Sequence, residues 1–530
     1  MAGSAHLDRF VLDNLPPEDQ RPVLLLDGLD YPSRLNAAAE LLRRAKAAAG
    51  PDGPALKWKT GALTWAELDA ASDRMARVLV EDLGVVPGSR VLLHGPNVAW
   101  VLTAWFAILK AGAVVVATMP LLRPGELATV VEKARVGIGL VDTALVEAAA
   151  EARAAAPVLS KVMDSAVLQA AADAKPADFE AVATAAEDPA LIAFTSGTTG
   201  RPKGCVHLHR DILSLADTFA RHILRLAPGD VAVGTPPIAF TFGLGGLVVF
   251  PAAAGAATAL CDRPGFEALA ETIAAHRASV LFTAPTGYRH LLKLAADHDL
   301  SSLKTCVSAG EPLPAATSDA WHEATGIRII DGIGSTEMFH IFISARGEDI
   351  RPGATGKAVP GFEARIQDDA GRPLPPGETG RLAVRGPTGC RYLADERQRS
   401  YVQAGWNLTG DIYRLDEDGY FWFVARADDM IISSGYNIGA PEVENALLRH
   451  PAVAEAAVIG VPDPERGQIC KAFVVVNPGF EAGEALKAEL QAHVKSVIAP
   501  YKYPRALEFR DALPKTQTGK LQRFRLKETP

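Results

Sequence analysis

The chain has 530 residues, with 48% hydrophobic and 22% charged residues, and this length is too great for a single hydrophobic core. Its 54 basic and 62 acidic residues give a net charge of −8 without any basic block, so we expect no nucleic-acid partner. The five cysteines are scattered and never in C-x-x-C spacing, so we expect reduced thiols and no structural zinc. Because no apolar signal-peptide core precedes residue 20, we also expect a cytoplasmic location.

The N-terminal half alternates between helix and strand patterns. Thr64 to Glu67 is a capping box that predicts a helix start. Strand-like runs at Arg90 to Leu93 and Ala113 to Ala117 flank a predicted helix over Val98 to Lys110. The alternation continues to about Val307. It predicts a large α/β body built on parallel sheets.

One segment, Val231 to Cys261, contains no charged residue and is long enough to span a bilayer. Its many glycines, together with Pro236, Pro237 and Pro251, should interrupt any helix repeatedly. We therefore predict a buried core segment beside a cleft, and no membrane partner.

Beyond residue 350 the pattern changes twice. Residues 351–389 are rich in Pro and Gly between short alternating runs, which predicts antiparallel strands in a small β-barrel-like part. Helical patterns at Pro441 to Leu448 and Ala485 to Val494 then predict a smaller α+β domain. We predict a boundary between residues 1–427 and 428–530.

The loop from Thr195 to Gly204 contains four hydroxyls, three glycines and two cations. Glycines let backbone N–H groups face an anion, so the loop suits polyphosphate, although a plain surface turn is the alternative. It is not a P-loop, because Lys203 is followed by Gly204. The candidate phosphate contacts are Thr195, Ser196, Gly197, Thr198, Thr199 and Lys203.

This loop resembles the phosphate loop of the adenylate-forming superfamily, which comprises acyl- and aryl-CoA ligases, peptide-synthetase adenylation domains and firefly-type luciferases. Segments at Gly332 to Glu337, Thr409 to Asp411 and Pro514 to Lys520 match that family in the same order, so the resemblance covers nearly the whole chain. It implies that residues 1–427 bind ATP and an acid, and that residues 428–530 form a mobile domain carrying a catalytic lysine.

The resemblance also implies residue roles. Thr336 would contact phosphate, Glu337 would hold Mg²⁺, and Lys520 would be the catalytic lysine, whereas each charged residue alone could be a solvated surface group. Asp411 and Arg426 would hold the ribose, and Asp428 would be the hinge. The remaining nucleotide and coenzyme A contacts would be Gly310, Glu311, Pro312, Asp331, Gly332, Ile333, Ser434, Gly435 and Tyr436.

Two departures qualify the match, because Ala425 stands where the family usually has Gly and Ile432 where it often has Lys. Any role of that lysine is in doubt here.

The acid should bind between flat aromatic walls. His340 could meet the acid's carboxylate or a ring substituent, or it could be a satisfied core histidine. The candidate substrate contacts are Phe240, Thr241, Phe242, Gly243, Ala309, Gly334 and His340.

Segments 204–211, 239–246 and 331–340 look most similar to benzoate and 2-aminobenzoate CoA ligases, and the resemblance to the 2-aminobenzoate ligases extends to segment 118–123. The resemblance implies an enzyme that converts such an acid, ATP and CoA into an aryl-CoA thioester, AMP and pyrophosphate. A stand-alone enzyme loading a carrier protein is the alternative, and a non-catalytic nucleotide-binding scaffold is a third reading. The oligomeric state is left open, with a homodimer as one option.

Overall fold

The computed structural model describes residues 3–195, 202–310, 313, 315–426, 430–514 and 526. Over these ranges the chain forms two mostly parallel sheets with helices, an antiparallel sheet, and a C-terminal unit with its own sheet and core. The predicted α/β fold class with a smaller C-terminal domain is confirmed. The boundary at residue 427 stays a prediction, since residues 427–429 lie outside the described ranges.

The first sheet has six strands in the described residues and is parallel except for its last pair. Its strands are rich in Val, Ile and Leu, as expected for strands covered on both faces. In spatial order they are Lys161–Asp164, Ile138–Val141, Arg90–His94, Val114–Thr118, Pro189–Thr195 and Lys203–Leu208.

The second sheet has nine described strands, with a parallel centre and antiparallel strands at both edges. In spatial order they are Lys357–Ala358, Ile341–Ser344, Ile330–Gly334, Thr305–Ser308, Val280–Thr283, Val231–Gly234, Ala257–Ala259, Pro54–Trp58 and Gly61–Thr64. The carboxyl ends of several parallel strands from both sheets border one cavity, the usual ligand position in open α/β sheets.

The third sheet is antiparallel throughout, as the Pro/Gly-rich pattern predicted. Its strands are Glu363–Gln367, Thr379–Arg385, Val402–Gln403, Trp406–Leu415 and Phe421–Arg426. The long strand Trp406–Leu415 carries Asp411 toward the cavity.

The C-terminal sheet joins antiparallel strands with one parallel edge strand, and its core is a separate cluster that includes Val443, Val474 and Leu490. Its strands are Met430–Ser433, Tyr436–Gly439, Val453–Asp463, Gly467–Val476 and Ala506–Phe509.

Helices cover the sheets. The capping box predicted at the start of helix Trp65–Arg77 is confirmed, since Thr64 Oγ1 accepts a hydrogen bond from Glu67 N at 3.2 Å and Glu67 Oε2 accepts one from Thr64 N at 2.8 Å. The α-helices are Phe10–Asp13, Ala37–Ala49, Trp65–Arg77, Ala99–Lys110, Pro124–Ala134, Val146–Ala155, Ser165–Asp173, His209–Leu215, Thr241–Leu244, Phe250–Ala254, Phe266–His276, Pro285–Leu294, Ala315–Thr325, Gln398–Tyr401, Ala440–Leu447 and Glu484–Val497. Wider π turns are Val78–Asp82, Ala216–Leu224 and Gly245–Val249, and short 3₁₀ turns are Glu18–Gln20, Thr143–Leu145, Gly347–Asp349 and Pro500–Lys502.

The uncharged segment is largely buried, as predicted, but one expectation about it is wrong. Thr241–Leu244, Gly245–Val249 and Phe250–Ala254 follow one another without a break, so Gly243, Gly245, Gly246 and Pro251 do not interrupt the helix, whereas Gly255 ends it and Pro236 and Pro237 precede it. Pro251 lies in the first turn of its helical piece, where it is tolerated, and the π turn just before it accommodates the change. Across the described part of the chain, none of the helices combines the length and apolarity that a bilayer crossing needs.

Candidate active site

A cavity of about 1420 Å³ lies where the two parallel sheets, the antiparallel sheet and the C-terminal unit meet. Many predicted site residues line it, although they come from distant parts of the sequence. They are Thr195, Lys203, Phe240, Thr241, Phe242, Ala309, Gly310, Gly334, Thr336, Glu337, His340, Asp411, Ser434, Gly435 and Tyr436.

Other predicted residues are not on the cavity wall or lie outside the described ranges. Gly243, Asp331, Gly332 and Ile333 do not border the cavity, although the last three belong to a strand that ends at it. Eight predicted residues lie outside the described ranges: Ser196, Gly197, Thr198, Thr199, Glu311, Pro312, Asp428 and Lys520. The main chain of Arg426 pairs with that of Asp411 in the antiparallel sheet.

At one end of the cavity His340 lies in the wall with Phe240 and Phe242, and Phe219 and Phe250 pack against its ring without bordering the cavity. The ring centroids of Phe250, Phe219 and Phe242 lie 4.7, 5.2 and 5.7 Å from that of the His340 imidazole. A Cβ atom on Gly245 would lie 2.6 Å from His340 Nε2, so only glycine leaves room for the imidazole there. The result is a stretch of cavity wall that combines two phenylalanines with one polar ring.

His340 is an unusual wall residue, because it is 3% exposed and neither ring nitrogen has a hydrogen-bond partner among the described residues. Burial lowers the pKa of the imidazole to about 3. A contact with the Phe242 main chain opposes this shift only in part. A neutral imidazole with two unpaired nitrogens can offer one donor and one acceptor to a ligand.

The middle of the cavity is centred on the Glu337 carboxylate, which is buried. Lys203 Nζ lies 3.4 Å from Glu337 Oε1 and donates to Tyr392 Oη at 2.7 Å, and the Tyr392 hydroxyl donates to the same Glu337 oxygen. Burial alone would raise the pKa of Glu337, but the Lys203 ammonium and the Tyr392 hydroxyl hold it below its ordinary value. Glu337 is therefore a buried anion held through one oxygen.

The turn that carries Glu337 is braced by His207. Its Nε2–H donates to the Thr336 carbonyl at 2.8 Å, and its ring stacks on Phe339 with centroids 4.0 Å apart. Phe339 has a φ of +73°, an uncommon conformation for a residue with a side chain. Such backbone conformations are costly unless their surroundings hold them, and here the stacked ring does so.

Asp411 lies at a third wall of the cavity and is 4% exposed. Its backbone N–H donates to Thr409 Oγ1 at 3.2 Å, which fixes the local turn of the strand. A carboxylate in this position can accept two hydrogen bonds from a diol.

The C-terminal unit reaches the cavity through the turn at Gly435. An added Cβ on Gly310 would lie 3.6 Å from Gly435 Cα, so the two main chains approach closely. Gly435 has a φ of +80°, which favours glycine. The neighbouring Tyr436 ring stacks on Tyr501 with centroids 4.3 Å apart and faces Phe240 edge-on at 6.5 Å.

Comparison with known proteins decides the family. The profile described as "AMP-binding enzyme" matches residues 43–392, and the profile of the AMP-binding enzyme C-terminal domain matches residues 442–520. The chain belongs to the AMP-binding enzyme family.

Relatives of this AMP-binding enzyme align along nearly its whole length. It is similar to a benzoate–CoA ligase of Thauera aromatica, with 36% identity over 94% of this chain and 97% of that protein. Among solved structures, an anthranilate CoA ligase in complex with anthranoyl-AMP has 37% identity and a TM-score of 0.73, covering 94% and 98% of the two chains. A benzoate CoA ligase from Burkholderia xenovorans LB400 has 34% identity and a TM-score of 0.69, covering 93% and 99%. Like these relatives, this AMP-binding enzyme is an acid–thiol ligase.

Two contacts in this AMP-binding enzyme are not apparent from sequence patterns. Tyr392 lies in no motif and is 55 residues from Glu337, whose carboxylate it contacts. It is brought there by backbone pairing with Cys205, two residues after Lys203. His207 lies inside a segment that resembles the aryl-CoA ligases, but nothing local indicates that its ring braces Thr336.

Proposed function

We propose that this enzyme is an ATP-dependent aryl-CoA ligase that activates benzoate-type acids, with 2-aminobenzoate and benzoate as the leading substrates. The observation that carries the proposal is His340, a neutral and unpaired polar ring in an otherwise aromatic pocket. An aromatic acid with a carboxylate or amino group beside the ring would satisfy that imidazole while its face packs against phenylalanines. The names of the relatives support the same class of acid.

The arrangement of the cavity suggests how the chain's residues share the work. Asp411 would accept hydrogen bonds from the ribose hydroxyls, and Thr336 and Lys203 would meet the phosphates. A substrate carboxylate oxygen would then attack the α-phosphorus and release pyrophosphate, giving the acyl-adenylate. The predicted Lys520, outside the described residues, would offset the repulsion between the two anions.

We also propose that Glu337 holds Mg²⁺. Within the described ranges no group of three or more His, Cys, Asp or Glu side chains could hold a metal by itself. A single buried carboxylate still fits, because Mg²⁺ is usually bound through one or two carboxylates together with substrate phosphates. When bound, the ion would neutralise charge on the phosphates.

A substrate panel tests this proposal. Purified protein is supplied with Mg·ATP and either benzoate, 2-aminobenzoate, hydroxybenzoates or aliphatic acids, and pyrophosphate release is measured. We expect release that requires an aromatic acid, and thioester formation only when CoA is added. No release with any aromatic acid, or faster release with aliphatic acids, would refute the proposed substrate class, and transfer to a carrier protein in preference to CoA would refute the proposed acceptor.

A further inference from the structure

A buried ion pair joins the C-terminal unit to the start of the helix Pro124–Ala134. Lys502 Nζ lies 2.8 Å from Glu126 Oε1, and the two side chains are only 6% and 14% exposed. Next to this pair, Arg123 donates from Nε to the Ile498 carbonyl at 3.4 Å and from Nη2 to the Lys495 carbonyl. Those carbonyls belong to the C-terminal end of helix Glu484–Val497 and the residue after it, where a cation is favourable.

The ion pair of Lys502 lies next to Tyr501, the residue that holds the turn at Gly435 in place. Lys502 follows Tyr501, whose ring stacks on Tyr436 at 4.3 Å. Glu126 and Lys502 themselves border the cavity, as this turn does. The ion pair therefore fixes the C-terminal unit close to the point where its turn enters the cavity.

We propose that Glu126, Lys502 and Arg123 form a latch that positions the C-terminal unit for the thiol-transfer step. They are positioning residues, and the inference rests on the proposed function because it concerns the second half-reaction. In that step the thiol sulfur bonds to the carbonyl carbon of the acyl-adenylate, the carbon–oxygen bond to AMP breaks, and the thiol proton passes to solvent. The latch acts by keeping the Gly435 turn at the cavity while this exchange occurs.

The burial of the ion pair explains why its loss should affect thiol transfer and not adenylation. In this orientation the removal of one partner takes away the ion pair while the other charge stays largely buried, which is more costly than breaking an exposed pair. If the C-terminal unit turns away to present Lys520 for adenylation, both partners are exposed to water and their charges matter little. Loss of the pair should therefore slow thiol transfer and spare adenylation.

The experiment measures the two half-reactions separately in Glu126→Gln and Lys502→Met. Gln suits Glu126 because the carboxylate also accepts from Arg123 N at 2.9 Å as a helix cap, a role that an amide oxygen keeps. Glu132→Gln is the matched control, since it makes the same change on an exposed face of the same helix. Acid-dependent pyrophosphate release reports adenylation, and the conversion of synthetic benzoyl-adenylate by CoA reports thiol transfer.

We expect thiol transfer to fall about tenfold or more in both variants, with adenylation within about threefold of wild type and the control unchanged. The double exchange of Glu126→Lys with Lys502→Glu should recover part of the loss. Unchanged thiol transfer, or an equal fall in both half-reactions, would overturn the latch. A wild-type protein that performs neither half-reaction would instead refute the proposed function.

Discussion

At the scale of single residues, the cavity is organised around charges that have been removed from water. Glu337 stays anionic in a buried position because Lys203 and Tyr392 both contact the same carboxylate oxygen. The three residues come from separate segments, so the ionisation of Glu337 depends on the tertiary structure and not on its own motif.

Replacing Tyr392 with Phe tests this arrangement. A hydrogen bond to a charged group contributes about 1.5–3 kcal/mol, so we expect acid-dependent pyrophosphate release to fall by about tenfold or more. The Mg²⁺ concentration needed for half-maximal release should rise, because the carboxylate is less well oriented. Tyr413→Phe is the control, since this buried tyrosine contacts Thr355 away from the cavity. A Tyr392→Phe rate within twofold of wild type would contradict the positioning role.

At the scale of elements, the helical stretch from Thr241 to Ala254 uses glycine for close packing. Gly245 faces His340, Gly246 faces the Phe282 ring, and Gly243 faces the Pro237 carbonyl, each at a distance that excludes a Cβ atom. Glycine is unfavourable inside a helix by about 0.5–1 kcal/mol, so the stretch is stabilised by the contacts that these glycines permit.

The substitution Gly245→Ala should therefore displace His340. Its new Cβ would lie 2.5 Å from His340 Cδ2 and 2.9 Å from Phe250 Cζ, so both rings must shift. We expect a loss of about 1–3 kcal/mol in unfolding free energy and a higher KM for the aromatic acid. Gly137→Ala, where an added Cβ meets nothing within 4 Å, should leave both quantities nearly unchanged. Urea unfolding and steady-state kinetics measure the two effects, and an unchanged KM would show that His340 does not contact the acid.

At the scale of the whole molecule, the same burial that shapes the cavity makes stability depend on pH. Burial lowers the pKa of His94 to about 4 and those of His209 and His340 to about 3. Between those values and the ordinary 6.5, the unfolded chain binds protons that the folded chain does not. Asp331 acts in the opposite direction, since burial raises its pKa to about 7.

We therefore expect the protein to lose stability as the pH falls from 6.5 towards 4. The lowered pKa values of the histidines outweigh the raised pKa of Asp331, and each net proton changes the free energy of unfolding by about 1.36 kcal/mol per pH unit. Urea unfolding at pH 7, 6 and 5 measures this slope, and His94→Gln should reduce it by about one proton. Stability that is constant or rises on acidification would contradict the expectation.

The sequence predicted the strands and helices of the α/β body well because periodicity and caps are local signals, as at Thr64 and Glu67. It failed for the helical stretch around Gly245, where tertiary contacts outweigh the low helix propensity of glycine. Motif order placed Glu337 and Asp411 at the cavity. It could not find Tyr392, whose place depends on backbone pairing with Cys205.

The close approach of Gly310 and Gly435 also limits how such an enzyme can change. Both residues border the cavity and have no side chain to shorten, and an added Cβ would point at Gly435 from position 310 and at Ala284 from position 435. A descendant that used a bulkier acceptor could not enlarge the cavity at this point by mutating these two residues. It would have to move whole segments apart, and this makes the cavity slower to evolve here than at the wall around His340, where single side chains can be exchanged.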